Sequence, residues 1–216
     1  MQIRTLQQQT EKAYIQTLPR FSFGGKIVVV QSQAEVRKAL SVLRREPVVG
    51  FDTETRPSFK KGETHKVALL QLSTHSVCFL FRLNMIDLTD EIADFLADPS
   101  VLKVGLSLSD DLSALRGRYA LQPQGWVDLQ KYVADMGIAD RSLQKLYANV
   151  FGLRISKRAQ RSNWEAHPLS DSQKSYAATD AYTCLQLYDE LSALRASGAY
   201  RIVAPATEEN EEKKIS

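Results

Sequence analysis

The sequence predicts an α/β domain: a three-strand antiparallel meander extended by βα units into a mixed sheet, with helices on its flanks. Three observations carry this. Apolar runs at 48–53, 67–73 and 77–83 follow one another with polar separators, and from residue 89 onward strand-like and helix-like segments alternate. The third is size, because 216 residues with 44% hydrophobic side chains can bury one substantial core. That fits a single domain at 26–203.

The first 25 residues are polar and mixed and end in FSFGGK, so they read as an arm packed on the domain through Phe21 and Phe23. KIVVV at 26–30 is a short β-branched run, and Ser32 with Glu35 makes a capping box that opens a helix to about Arg45, with Val36, Ala39, Leu40 and Leu43 at helical spacing. The three meander strands follow. A helix at 89–97, a strand at 102–106, a helix at 110–118, a short strand near 126–127, and helices at 129–136 and 142–150 continue the alternation. After a basic, polar loop at 152–170, Ser170 and Gln173 form a second capping box, opening a long helix to about Ala196 with Ala177, Ala181, Cys184, Tyr188 and Leu191 as its buried stripe. The acidic segment 204–216 is expected to be a disordered tail.

Composition excludes several classes. No stretch approaches the roughly 20 apolar residues that span a bilayer, and the first residues lack an apolar core of a leader. Two cysteines outside any CxxC spacing read as buried reduced thiols, so the expectation is a soluble, intracellular, cytoplasmic protein. His65, His75 and His167 have no ligand spacing for zinc, and Gly24-Gly25 lacks the lysine and hydroxyl of a phosphate loop. Net charge is +3, but TEENEEKKIS holds four acids and two lysines, which leaves about +5 on the rest. A polyanion could dock on such a surface.

The acids are placed rather than scattered. Residues i and i+2 of a strand share a face, as do i and i+4 of a helix, so Asp52 pairs with Glu54 in GFDTET and Tyr176 with Asp180 in YAATD. Strand-end acids facing solvent would explain the first pair just as well on spacing alone. What favours a site is the apolar run before Asp52, since ligands bind outside the carboxyl ends of central strands. Asp180 sits among Ala177, Ala178, Thr179, Ala181 and Tyr182, on a small-residue helix that packs closely against something. Asp111 in SDDL reads first as a helix N-terminal acid favoured by the dipole. Crowded carboxylates repel and resist ionisation, so a cluster calls for divalent cations.

FDTET, KVGLSLSDDLSAL and NWEAHPLSDSQKSYAATDAY, with VALLQLS after the first, resemble the three ordered motifs of the DEDD superfamily of 3′–5′ exonucleases. The tyrosine-bearing branch, which includes ribonuclease D and the Werner syndrome exonuclease domain, is the similar one, over about residues 47–194. The resemblance implies a ribonuclease H-like fold and hydrolysis at a 3′ end with two Mg²⁺ or Mn²⁺ ions. It implies Asp52 as the shared ligand, Glu54 and Asp180 as further ligands of the ion that carries the attacking water, and Asp111 serving the second ion through water. Asp111 is preferred to Asp110 because Leu115 stands four residues after it. Tyr176 would orient that water or help deprotonate it. Leu106 and Ser107 stand where several relatives carry histidine or asparagine.

Lys157, Arg158 and Arg161 beside Trp164 are the expected nucleic-acid contacts, tracking phosphates with little base preference, and Phe59 or Trp164 could stack a terminal base. The partner is nucleic acid with a free 3′ end, DNA or RNA. Two alternatives compete: a nucleic-acid-binding module without activity, and a metal-dependent phosphohydrolase of small nucleotides. Binding alone needs no acidic cluster, and the basic loop favours a polymer.

Overall fold

The computed structural model describes residues 3–205. Its elements are β1 (Arg4–Gln7), α1 (Lys12–Thr17), β2 (Lys26–Val30), α2 (Gln33–Leu43), β3 (Val48–Thr55), β4 (Val67–Ser73), β5 (Val77–Phe81), α3 (Leu83–Ile86), α4 (Asp90–Ala97), β6 (Leu102–Gly105), α5 (Leu108–Arg116), β7 (Trp126–Asp128), α6 (Leu129–Asp135), α7 (Leu143–Phe151), α8 (Asp171–Ser197) and β8 (Tyr200–Val203). Six strands form one sheet in the order β2-β5-β4-β3-β6-β7. The meander is β3-β4-β5, antiparallel throughout, while β2, β6 and β7 join in parallel.

Side-chain alternation gives the sheet two different faces. Val49 and Phe51 of β3, Leu70 and Leu72 of β4, and Phe79 and Phe81 of β5 point one way, into a core built with Val36, Leu40 and Leu43 of α2 and Ile92, Phe95 and Leu96 of α4. Leu69 and Ala68 of β4 and Cys78 and Leu80 of β5 meet Ala177, Ala178 and Ala181 of α8. A third cluster packs α6, α7 and the second half of α8 around Val104, Leu146 and Leu187. Both capping-box serines accept from the amides expected: Glu35 at 3.4 Å and Gln173 at 3.2 Å. No described helix is long and apolar enough to cross a membrane.

The structure differs from expectation at the ends. The first 25 residues are more than an arm: β1 pairs in parallel with β8, in register Arg4 to Tyr200 through Gln7 to Val203, and α1 follows it. Phe21 and Phe23 do pack on the domain, with rings 5.1 Å from Tyr147 and 4.7 Å from Tyr182 respectively. The fifth strand stops at Phe81, because Arg82 turns inward, buries its guanidinium and donates to the Ala166 carbonyl at 2.7 Å. Most of the acidic tail, 206–216, lies outside the described residues.

Candidate active site

The site begins at a close approach. Gly50 has no side chain, and a Cβ there would stand 1.9 Å from the Ala181 carbonyl oxygen of α8. Glycine therefore lets the helix settle directly on β3, which brings Asp180, the residue before Ala181, over the strand. Asp52 and Glu54 follow Gly50 at two-residue intervals and share its face. One carboxylate oxygen from each of Asp52, Glu54 and Asp180 lies within 4.8 Å of the others. These acids, Tyr176, Thr53 and Lys157 line a cleft of about 370 Å³.

The electrostatics follow from burial and crowding. Burial pushes the Asp52 carboxyl well above its ordinary range, and the charges of Asp180, Glu54 and Asp111 push the same way. Glu54 is raised to about 9, first by burial and then by Asp180 and Asp111. Asp180 is raised to about 7 by burial, against the opposing pull of the Tyr176 hydroxyl and Lys157. Its Oδ1 is buried without a hydrogen-bond partner among the described residues. An orphaned buried carboxylate oxygen beside two further acids suits a hard divalent cation, whose preferred ligands are oxygens.

Asp111 stands beside this trio rather than in it. Its Oδ1 accepts a hydrogen bond from Thr53 Oγ1, whose side chain leaves β3 on the opposite face from Asp52 and Glu54. Its carboxyl is raised to about 6 by burial, with Thr53 acting against the rise. Asp110 is exposed, whereas Asp111 is half-buried and turned towards β3. Tyr176 is one helical turn before Asp180 and faces the same cleft. Burial and then the charges of Asp180 and Glu54 raise its hydroxyl above the ordinary tyrosine range, which keeps it a phenol at neutral pH.

Trp164 corrects the sequence reading. It is 0% exposed, its Nε1 donates to the Gln160 carbonyl at 3.4 Å, and its ring lies 6.0 Å from that of Tyr176. The indole fills the space that Ala177 and Ala178 leave under the start of α8, so it supports the tyrosine and cannot stack on a base. Lys157, Arg158 and Arg161 are exposed as expected, but they separate: Lys157 lines the acidic cleft, Arg158 a neighbouring one, and Arg161 neither. Phe59, 83% exposed in the loop after β3, is free to meet a ligand.

Sequence reasoning missed the residues that hold the site. Asp128 accepts from the amides of Ser107 and Leu108, each at 3.1 Å, and of Gln130 at 2.9 Å, so one carboxylate fixes the starts of both α5 and α6. Its place before a helix signals the cap on α6; nothing in the spacing reveals the reach to α5, 20 residues earlier. That second bond steadies Ser107, a non-glycine residue at φ +61°, where the helix bearing Asp111 begins. Arg141 also lines the acidic cleft, in the connection between α6 and α7, which carries no distinctive pattern.

The profile of a family described as 3′–5′ exonuclease matches residues 27–194. The chain is 31% identical over 200 residues to the bifunctional 3′–5′ exonuclease/ATP-dependent helicase WRN of Mus musculus, an alignment covering 85% of this chain and 14% of that protein. The chain thus spans only a small part of that relative. The Nibbler EXO domain of Aedes aegypti has the same fold, with a TM-score of 0.75 at 23% identity, covering 82% of this chain and 94% of that one. So does Trypanosoma brucei RNase D in complex with RNA U12, with a TM-score of 0.69 at 21% identity, covering 83% and 64%. These neighbours share the ribonuclease H-like sheet described above. With its profile match running from within β2 through the rest of the main sheet and the whole acidic cleft, the chain belongs to the 3′–5′ exonuclease family.

Proposed function

We propose that this chain is a metal-dependent exonuclease that hydrolyses phosphodiester bonds from the 3′ end of a nucleic acid. The observation that carries the reading is the convergence of Asp52, Glu54 and Asp180, with the orphaned Asp180 oxygen, in a cleft that also holds Tyr176. Asp52, Glu54 and Asp180 would hold one Mg²⁺ or Mn²⁺, with Asp52 shared towards a second that Asp111 serves through water. Such ions supply positive charge for the attacking water and the departing 3′ oxygen. The protein's own part is positioning. The Tyr176 hydroxyl, backed by Trp164 and neighbouring Asp180, orients the water by hydrogen bonding. Thr53 fixes Asp111, Asp128 fixes the start of the helix that bears it, and Lys157 offers the cleft a cation for the substrate phosphate. RNA is the ligand in the Trypanosoma brucei RNase D complex, and nucleic acid is the substrate class proposed here.

The test is a 3′- and 5′-labelled oligonucleotide incubated with Mg²⁺, Mn²⁺ or EDTA. Stepwise loss from the 3′ end is expected only with metal, and Asp52→Ala and Asp180→Asn should abolish it. Shortening that persists in EDTA would overturn the mechanism. Binding without shortening would instead favour the inactive binding module, and cleavage of free nucleotides alone the small-molecule phosphohydrolase.

A further inference from the structure

Beside the acidic cleft lies a second one of about 250 Å³, and the two share Ser156 and Tyr176 along their common edge. Its lining comes from three separate parts of the chain: Arg20 and Ser22 of the N-terminal segment, Ser156 and Arg158 of the loop before α8, and Ser172 and Ser175 of α8. Two arginines and several serines line one space. Among the described residues the ion-paired arginines are Arg4, Arg37, Arg44, Arg56, Arg118 and Arg195, so neither Arg20 nor Arg158 has its charge offset by an acid. Asp171, the acid at the start of α8, is taken by Lys174 at 2.7 Å.

The backbone that carries the arginines is held in place rather than trailing. The Phe21 amide donates to the Arg154 carbonyl and the Arg154 amide to the Pro19 carbonyl, both at 2.9 Å, while Arg154 Nε donates to the Leu18 carbonyl at 2.8 Å. Two residues past Phe21, the Phe23 amide donates to Thr179 Oγ1 of α8 at 3.0 Å. Arg20 and Ser22 are therefore fixed by anchors on both sides. In the loop before α8, the Arg158 amide donates to Ser156 Oγ at 3.2 Å, which shapes the turn that carries Arg158. Arginine on a fixed backbone suits phosphate better than lysine, because its planar guanidinium can donate two parallel hydrogen bonds to the phosphate oxygens.

We propose that this second cleft is a phosphodiester subsite, in which Arg20 and Arg158 hold backbone phosphates on the 5′ side of the bond being cut. The inference rests on the exonuclease reading for its direction along the strand. The chain leaving the acidic cleft passes the edge formed by Tyr176 and Ser156 and enters a space where unpaired cations and hydroxyls meet its phosphates. The N-terminal segment thereby becomes part of the substrate interface. Each phosphate neutralised on a single strand steepens the salt dependence of binding by about 0.7 in log–log slope, so two arginines account for about 1.4.

The experiment is fluorescence anisotropy of a 5′-labelled single-stranded 12-mer in Ca²⁺, across a salt series. It compares the unmodified chain, Arg20→Ala/Arg158→Ala and Arg20→Lys/Arg158→Lys. The alanine pair should weaken binding by about tenfold at moderate salt and flatten the slope by about 1.4, while the lysine pair keeps most of the slope. Mn²⁺ uptake by calorimetry, which reads the acidic cluster separately, should be the same in all three. An unchanged Kd and slope in the alanine pair would overturn the subsite. So would loss of Mn²⁺ uptake along with binding, which would make these residues a prop for α8. Equal weakening for a 5′-mononucleotide would also overturn it, by showing a pocket for a terminal phosphate. If the unmodified chain binds the 12-mer with the expected slope but never shortens it in Mg²⁺, the exonuclease reading fails, and the cleft stands as a phosphodiester site without a direction along the strand.

Discussion

The two faces of the central sheet differ: one buries an apolar core, the other mixes apolar packing with buried polar groups. Towards α2 and α4 the sheet offers Phe, Leu and Val, and large apolar side chains interlock. Towards α8 it offers Gly50, Asp52, Gln71 and Ser73 among Leu69, Cys78 and Leu80, and the helix answers with alanines, Thr179, Asp180 and Thr183. Gln71 lies directly across from Asp52 on β4, is 0% exposed, and leaves both side-chain amide atoms without a partner among the described residues. Burying polar groups in this way destabilises the fold, and the apolar face compensates. The comparison teaches that stability and chemistry sit on opposite sides of one layer, about a strand's thickness apart.

Substitutions that act on one face only can break that division. The largest effect should come from Asp52→Asn, which removes a shared ligand. Loss of about 4 kcal/mol of transition-state stabilisation corresponds to about a thousandfold drop in kcat. The same change should raise the melting temperature of the metal-free protein, since it removes a carboxyl that burial and its acidic neighbours force to stay protonated well above its ordinary range; a drop in both would mean the faces are not separable. Next, Phe95→Ala on the apolar face should destabilise by about 3–5 kcal/mol in urea titration, with kcat at low temperature nearly unchanged.

Gly50→Ala tests the contact between β3 and α8. A methyl group 1.9 Å from a carbonyl oxygen must displace the helix, with a destabilisation of about 1–3 kcal/mol and, unlike Phe95→Ala, weaker Mn²⁺ binding in calorimetry. The pH dependence sharpens the comparison further. In the unfolded chain Glu54 releases its proton near 4.5, whereas in the metal-free fold it holds it to about 9. Between those values the folded state binds more protons, so stability in EDTA should fall as pH rises from about 5 to 9. Divalent cations should flatten that slope. The smallest effect is expected for Asp128→Ala, about 1 kcal/mol in stability from a lost cap, with a rise in KM as the start of α5 loosens.

The sequence displayed the central strands and long helices because their apolar spacing is set by burial on both sides, as VALLQLS and VVGF illustrate. It displayed Asp52, Glu54, Tyr176 and Asp180 because two-residue and four-residue spacings fix side-chain direction before any tertiary contact forms. Three kinds of feature stayed hidden. β1 and β8 are four-residue strands with charged, alternating side chains, and each is a strand only by virtue of the other, from the far end of the chain. Trp164 sits in SNWE, a polar neighbourhood that suggests exposure, and only the docking of Ala177 and Ala178 creates the space that buries it. Asp128 and Thr53 act through partners 20 and 58 residues away, and no local periodicity records a bond of that range.

The pairing of β1 with β8 has a mechanical consequence. The strands run parallel, so tension applied through the two ends of the chain pulls them along their length in opposite directions. All four register pairs then share the load at once, as in a clasp loaded in shear, rather than opening one after another like a zip. Tugging transmitted through neighbouring segments would be stopped at this small sheet before it reached β3 or α8.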